Sequence, residues 1–471
     1  MRIVLDLQAC QSDSRFRGIG RYSMSLGKVL ATELVARNHE VIIALSSAFP
    51  LESEQIKAEF KLSVPGVSFY EFSIPTNCAA SHPENQWRQI AARVLREHAL
   101  ACLNPDIVHV STLLADGWGD DTVASVGLAG VSVPTVLTHY DLIPLSMPDV
   151  YLTDEDFRNY YMFKLDSVCN ANMLLTISDF TKTEAQRLLK LPESSVVNMS
   201  SAVNDDFSQS INKSQGVEVS LDKYSIDKEF LLYAPGGFDP RKNLDRLLEA
   251  YSLLPTNVRK LYNLVIASKL PDGYREGLIW KAGTLGIDKS ELVLTDYVPD
   301  ADLADLYRAC RAYIFPSLQE GFGLPVLEAM SCGAVVIASN SSSIPEAHGL
   351  QKALFDPYQI DDIKNKMMLA LTNEAFRSEL KKHATVQVKK FSWIESAVVA
   401  ADAMERLDKE NKAIKGASLS KPILPSCEEL LDKVDAMMTK MNITTPPNND
   451  DLNNFKSCFR RNVGALNESL S

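Results

Sequence analysis

The chain contains no Cys-x-x-Cys pair, and its eight cysteines (10, 78, 102, 169, 310, 332, 427 and 458) are scattered over 471 residues. That spacing argues against a disulfide framework and a cysteine-built zinc site, and fits reduced thiols. Basic excess is missing as well: 48 Lys and Arg face 60 Asp and Glu, a net charge of −12. A nucleic-acid binder needs a positive field, so the charge argues against that class, a local basic patch aside. No run of 18 apolar residues is present, so no segment reads as a membrane span. The opening Met1-Arg-Ile-Val-Leu-Asp6 turns acidic too early for a signal peptide. A cytoplasmic location follows as the expectation, with peripheral attachment at the inner face of the membrane as its extension. No Asp-x-Asp motif stands at a strand end, so no metal ion is expected. No internal repeat is evident.

What is present is ordinary for a soluble enzyme, with 46% hydrophobic and 23% charged residues. The length suggests two or three domains. Short Val/Ile/Leu runs alternate with amphipathic stretches up to about residue 400. Candidate strands in the first half are Ile3–Leu7, Glu40–Leu45, Ser68–Phe72, Ile107–Ser111, Thr135–His139, Leu174–Ser178 and Val196–Ser200. In the second half they are Phe230–Ala234, Leu264–Ala267, Leu292–Thr295, Ala312–Phe315 and Val335–Ala338. Helical patterns separate them, as at Arg21–Arg37, Asn85–Ala101, Asn243–Ser252 and Pro325–Ser331. Continuous apolar strands between helices predict parallel sheets covered on both faces. The fold class is therefore α/β, with two doubly wound Rossmann-like domains, residues 1–205 and 206–390, joined through the polar stretch Asn204–Lys228 and facing a central cleft. Ligands then belong at the carboxyl ends of the strands.

Residues 391–411 read as one further helix, with Trp393, Ile394, Ala397, Val398, Ala401 and Met404 at helical spacing. Residues 412–471 read as a linker, Lys421–Pro425, and an amphipathic helical tail. Ser426-x-x-Glu429 has the form of a capping box, followed by a stripe of Leu430, Leu431, Val434, Met437, Met438 and Met441. Two readings follow for residues 426–443: a helix packed back on the body, or a docking segment for a partner protein or a membrane surface.

The most informative stretch is Pro316-Ser-Leu-Gln-Glu320-Gly321-Phe322-Gly323-Leu324-Pro325-Val-Leu-Glu328-Ala-Met330. A buried strand precedes it, and Pro325 marks the first turn of a helix. Glu320 then stands at the strand's carboxyl end and Glu328 about a turn into the helix. Backbone amides over Gly321, Phe322, Gly323 and Leu324 make an anion site between them. Two carboxylates that accept hydroxyl protons, with free N–H groups between them, suit a polyhydroxylated ligand bearing a diphosphate.

Three loops accompany it. Gly18-Ile19-Gly20 follows the first strand and opens a helix, the context in which backbone must approach a phosphate or sugar. Glycines are also common in turns, and the missing third glycine makes NAD a poor ligand. Gly236-Gly237-Phe-Asp-Pro-Arg241-Lys242 opens the second half, with Arg241 and Lys242 placed to neutralise a diphosphate. The alternative is two solvated cations, but cations at a helix N-terminus oppose its dipole. His139-Tyr140-Asp141 ends a strand; a lone histidine is usually structural, yet this one stands where ligands bind. Neighbours in a strand face opposite sides, so His139 and Tyr140 do not both meet the ligand. Ser178–Thr181 reads as an N-cap. Ser341–Glu346 reads as structural, closing the floor of the cleft.

Together these residues resemble the retaining glycosyltransferases of family 4, which have the GT-B fold. The Glu320-x7-Glu328 setting carries the resemblance, which covers about residues 1–405. Within that group the chain looks most like bacterial O-antigen and polymannan mannosyltransferases, on Asp6-Leu-Gln-Ala-Cys-Gln, Arg17-Gly-Ile-Gly-Arg-Tyr, Tyr140-Asp-Leu-Ile-Pro and Pro240-Arg-Lys-Asn. The resemblance implies that Glu320 holds the donor sugar and Glu328 the ribose. It implies that Lys242 binds the diphosphate and that Gly18 and Gly20 let backbone approach phosphates. Gly237 stands where relatives carry an arginine, so Arg241 supplies that charge. His139 is taken as the residue meeting the sugar, with Tyr140 the alternative. The Trp393 helix is expected to return to the first domain.

The implied activity is mannosyl transfer from GDP-mannose to a mannose-terminated, lipid-linked glycan, with retention and without a metal ion or other cofactor. The partners are a nucleotide sugar, expected on the second domain, and a glycan acceptor, expected on the first. Alternatives are a UDP-sugar or other donor, a sugar-nucleotide epimerase, and a non-catalytic GT-B scaffold in a polysaccharide-assembly complex.

Overall fold

The structure is a computed structural model and describes residues 1–16, 18–115, 117–207, 220–415 and 424–469. Arg17, residues 208–219 of the first expected linker and residues 421–423 of the second lie outside the described residues. The chain divides into two compact units. The first comprises residues 1–177, 182–199 and 393–471, and the second residues 178–181 and 200–392. The division thus falls at 199/200 rather than 205, and the terminal helices belong to the first unit.

The first unit holds a seven-stranded sheet of β1 (Arg2–Asp6), β2 (Glu40–Ser46), β3 (Ser68–Phe72), β4 (Ile107–Val110), β5 (Thr135–His139), β6 (Met173–Thr176) and β7 (Val196–Asn198), in the order β3-β2-β1-β4-β5-β6-β7. Every pairing is parallel, with Ile3 opposite both Val41 and Ile107. All residues of β4, β5 and β6 are buried. Helices covering both faces explain why these strands are buried throughout rather than on alternate residues.

The helix Gln86–Cys102 is buried along nearly its whole length, Arg93 and Arg96 included. It lies between the sheet and two terminal helices, Cys427–Lys440 and Asn449–Ser469, so it has no solvent face. The tail's stripe is spent there. Leu430, Val434, Met438, Phe455 and Cys458 pack with Trp87, Ile90, Ala91, Val94 and Leu95 in one cluster. Asn462 adds a polar clasp at the sheet edge: Ser73 N donates to its Oδ1 at 2.6 Å, and its Nδ2 donates to Ser73 O at 3.0 Å. Of the two readings for residues 426–443, the structure supports the helix packed on the body. The docking reading needs an exposed stripe, and Leu430 and Val434 are fully covered. The capping box is formed, with Glu429 N donating to Ser426 Oγ and Ser426 N donating to Glu429 Oε2.

The helix Trp393–Lys415 packs along Gly18–Ala36, and the Trp393 ring meets Tyr22 edge to face at 4.9 Å. Among the described residues no helix is long and apolar enough to cross a membrane.

The second unit holds six parallel strands: β8 (Glu229–Tyr233), β9 (Tyr262–Ile266), β10 (Leu292–Leu294), β11 (Ala312–Phe315), β12 (Val336–Ser339) and β13 (Leu354–Phe355), in the order β10-β9-β8-β11-β12-β13. Leu231, Leu264, Ile314 and Ile337 form its core with Leu247, Leu248, Met367 and Leu371 of the covering helices. The two-residue β13 was not legible in the sequence, being too short for a periodic pattern. In both sheets strand order reverses beside the first strand of the unit: between β1 and β4, and between β8 and β11. Loops leaving adjacent strands in opposite directions open a crevice at such a point.

Candidate active site

In the second unit the reversal brings together the loops after β8 and β11. β8 runs into Gly236 and Gly237, with φ of 75° and 135°. Side chains rarely adopt the second value, and no heavy atom stands within 4 Å of where a Cβ would lie on either glycine. Asp239 caps the turn Pro240–Lys242 by accepting from Arg241 N at 3.0 Å. Asn243 takes a left-handed φ of 60° and donates to the carbonyls of Pro316 at 3.0 Å and Pro357 at 2.8 Å. Leu318 N donates to Arg241 O at 2.7 Å. The two loops are thus stitched by one backbone bond and by the Asn243 side-chain amide.

Their side chains then form one ion triad. Lys242 Nζ lies 2.7 Å from Glu320 Oε1, and an Arg241 guanidinium nitrogen lies 2.7 Å from Glu320 Oε2. Arg241 also donates to Gln319 O at 2.9 Å. Glu320 and Lys242 are buried, and the ammonium sits over the Phe315 ring. Burial alone would raise the Glu320 pKa, but Lys242 and Arg241 outweigh it and hold the carboxyl below its usual range. Burial lowers the Lys242 pKa against the pull of Glu320. With two cations on one carboxylate, the ionised Glu320 anchors the triad. Sequence reasoning gave these residues separate tasks; the fold makes them mutual partners.

Glu328 lies in the second turn of the helix Leu324–Ser331 and is buried. Burial, and then the Glu328 charge, raise the pKa of the Tyr313 phenol. Gly323 begins that helix with φ of 99°. Phe322 is buried and meets Phe391 edge to face at 5.4 Å. Gly321 O accepts from Ser178 Oγ at 2.6 Å, so Ser178 does more than cap a helix.

The run Ser341–Ser343 was read as structural, and it proves to be the clamp on Glu320. Ser341 Oγ donates to Leu318 O at 2.6 Å, Glu320 N donates to Ser342 Oγ at 2.9 Å, and Ser343 Oγ donates to Glu320 O at 2.9 Å. The available signal was three consecutive hydroxyls directly after a strand's carboxyl end.

In the first unit the helix begins at Gly18 rather than Arg21, so Gly18 and Gly20 lie in its first turn and not in a preceding loop. A Cβ on Gly20 would meet Ser14 O at 2.2 Å and Arg15 Cα at 2.3 Å, whereas one on Gly18 would meet nothing within 4 Å. Gly20 therefore has a packing reason of its own. His139 ends β5, 2% exposed, and its Nε2 has no hydrogen-bond partner. Burial lowers its pKa to about 4, so the ring is neutral at pH 7. The Tyr140 hydroxyl is 2.8 Å from Ser23 Oγ, which ties Tyr140 to the helix Gly18–Ala36.

Comparison with known proteins decides the family. Residues 25–207 match Glycosyltransferase Family 4, and residues 218–387 match Glycosyl transferases group 1. The chain thus carries glycosyltransferase domains of the family 4 and group 1 types. Over 438 residues, 93% of this chain and 52% of the relative, it is 35% identical to the serotype-specific mannosyltransferase WbdA of Escherichia coli. It is 34% identical to the O-antigen chain mannosyltransferase B of Escherichia coli over 261 residues, 55% of this chain and 66% of the relative. The chain spans about half the length of the WbdA proteins it matches. The crystal structure of Anabaena HepE in complex with UDP and glucose aligns with a TM-score of 0.61 and 15% identity, over 86% of this chain and 100% of that one. That likeness shows the GT-B fold.

Proposed function

We propose that this glycosyltransferase moves mannose from GDP-mannose to a mannose-terminated, lipid-linked glycan, retaining the anomeric configuration. The observation that carries the reading is the Glu320–Lys242–Arg241 triad at the carboxyl ends of β8 and β11. The names of the WbdA and O-antigen relatives supply the sugar and the acceptor class.

The triad suggests how the donor is taken. An arriving diphosphate competes with Glu320 for Lys242 and Arg241. Once those cations turn to phosphate, the carboxylate is released to accept protons from the sugar hydroxyls. Departure of the nucleoside diphosphate leaves an oxocarbenium-like centre. Lys242, Arg241 and the amides at the start of Leu324–Ser331 stabilise the growing charge of the leaving group. The proposal assigns that charge to protein groups, without a metal ion. The acceptor hydroxyl attacks from the face the leaving group vacates, and the departing phosphate takes its proton. Retaining hydrolases work otherwise, through a carboxylate nucleophile.

HepE's complex with UDP and glucose keeps a UDP-sugar donor as the second reading. The test is acceptor-dependent nucleotide release from GDP-mannose, UDP-glucose, UDP-galactose and UDP-N-acetylglucosamine with an α-mannobiose acceptor, and the anomeric proton coupling of the product. Release from GDP-mannose alone, with an α-linked product, is expected. Release from a UDP-sugar alone would overturn the donor, and a β-linked product the stereochemistry.

A further inference from the structure

The loop after β11 treats its backbone acceptors and donors in opposite ways. Its consecutive carbonyls are each taken by a side chain. Leu318 O accepts from Ser341 Oγ at 2.6 Å, Gln319 O from Arg241 at 2.9 Å, Glu320 O from Ser343 Oγ at 2.9 Å and Gly321 O from Ser178 Oγ at 2.6 Å. The N–H groups that follow are open. Those of Gly321, Phe322 and Gly323 meet no acceptor among the described residues, although all these residues are buried. Buried backbone N–H groups are nearly always paired. A run of them without acceptors makes a concavity of positive potential that an anion fills.

Peptide geometry links the two patterns. A trans peptide is planar, so its C=O and N–H point in opposite directions. Ser178, by holding Gly321 O, turns the Phe322 N–H the other way. Ser343 does the same for the Gly321 N–H by holding Glu320 O. These hydroxyls aim amides that they do not touch. Being neutral, they leave the charge of the site to the amides and the cations.

Ser178 differs from the other holders in origin. Ser341 and Ser343 follow β12 and Arg241 follows β8, whereas Ser178 stands at the start of the helix Asp179–Leu189. It is fully buried, and its hydroxyl works on two sides. Oγ accepts from Thr181 N at 3.0 Å, which is the capping bond, and donates to Gly321 O. Thr181 Oγ1 spends its own proton on Ser178 O at 3.0 Å, so the Ser178 proton is left for Gly321. A hydroxyl that accepts from a helix amide is polarised and donates more strongly. From the other side, the buried Phe322 ring is held against Phe391. Between hydroxyl and ring, the peptide joining Gly321 to Phe322 has little freedom to rotate.

We propose that Ser178 is a positioning residue of the donor site: its hydroxyl sets the Gly321–Phe322 peptide plane so that the Phe322 N–H meets the donor diphosphate. This rests on the transferase reading for the ligand, but the aim of the amide is testable apart from turnover.

The experiment uses the full chain with α-mannobiose and GDP-mannose, or the UDP-sugar that replaces it. Ser178→Ala leaves Gly321 O without its donor. It is expected to lower kcat about tenfold, the scale of one weakened hydrogen bond to a charged group. The donor KM should change far less, because the phosphate charge facing the amide grows as the glycosidic bond breaks. Ser178→Thr keeps the hydroxyl and should restore kcat. Should its extra methyl prevent folding, Ser178→Cys is the second variant, a weak donor expected to fall between serine and alanine. A serine that only capped its helix would lower the melting temperature and leave the kcat of the folded enzyme unchanged. Wild-type kcat in Ser178→Ala therefore overturns the proposal. So does a folded Ser178→Thr that loses as much kcat as Ser178→Ala. If no donor turns over in the wild type, the transferase reading fails, and calorimetric titration with inorganic pyrophosphate decides the amide alone. Binding to the wild type that Ser178→Ala weakens about tenfold supports the positioning role. Equal binding in the two, or none in the wild type, overturns it.

Discussion

At Gly20 in the first unit a Cβ would lie 2.2 Å from a backbone oxygen; at Gly237 in the second it would meet nothing within 4 Å, and φ is 135°. In sequence both glycines read as loop residues between a strand and a helix, so they carry the same signal there. The first is required for close approach within the protein. The second is required for a backbone conformation that leaves space beside Arg241 and Lys242. The contrast extends to the units themselves. The first spends its terminal helices on covering Gln86–Cys102, while the second spends its loop side chains on an ion triad.

The largest effect that tests this contrast comes from the tail. A docking segment was one expectation for the tail, and the packing argues otherwise. Full burial of a large apolar side chain contributes about 1.5–3 kcal/mol, against a net stability of about 5–15 kcal/mol for a domain. Leu430, Val434, Met438 and Phe455 are all buried. Deleting residues 424–471 should therefore lower the melting temperature sharply or leave the chain aggregated. Unchanged melting by calorimetry would return the tail to a docking role.

Next come Glu320→Gln and Lys242→Ala, expected to lower turnover about 10²–10³-fold, the range for losing one preorganised electrostatic group. In Lys242→Ala, Glu320 keeps Arg241 as a partner, so melting should move far less than turnover. Wild-type rates in both would remove the triad from the mechanism.

Gly20→Ala should cost about 3 kcal/mol in urea denaturation, since a backbone oxygen cannot yield as a side chain does. An alanine tolerated there would show that the start of the helix shifts freely.

The His139 ring tests burial in the first unit through pH. Its pKa is lowered to about 4 by burial, below the ordinary 6.5. Between those values the unfolded chain takes up a proton that the folded ring refuses, so stability falls as pH drops from 6.5 towards 4. The loss at pH 5 is roughly 2 kcal/mol. His139→Asn should remove that share of the pH dependence. An unaltered pH profile would mean the ring titrates normally.

The smallest effects compare Gly237→Ala with Gly18→Ala. The first should cost about 1 kcal/mol in strain and raise the donor KM. The second, helical and unobstructed, should gain up to about 1 kcal/mol. A raised donor KM in Gly18→Ala would restore the phosphate role read from its motif.

Much of the fold was legible because parallel strands buried on both faces are continuous Val/Ile/Leu runs. The two-residue β13 left no such trace. Ser341–Ser343 looked inert because a serine clamp becomes visible only once the backbone it holds is in place.

The sequence by itself determined the alternation of strands and helices, the two-unit plan and the chemical types at Glu320, Glu328, Arg241 and Lys242, because periodicity and residue chemistry are local properties. Only the tertiary structure decided that Lys242 and Arg241 both close on Glu320, that Gly20 serves packing, and that the tail's stripe is covered. The triad and the covered stripe depend on residues tens to hundreds of positions apart, whereas Gly20 depends on how the turn at Ser14 and Arg15 folds back on it. Strand order brings such residues together, and no local pattern encodes it.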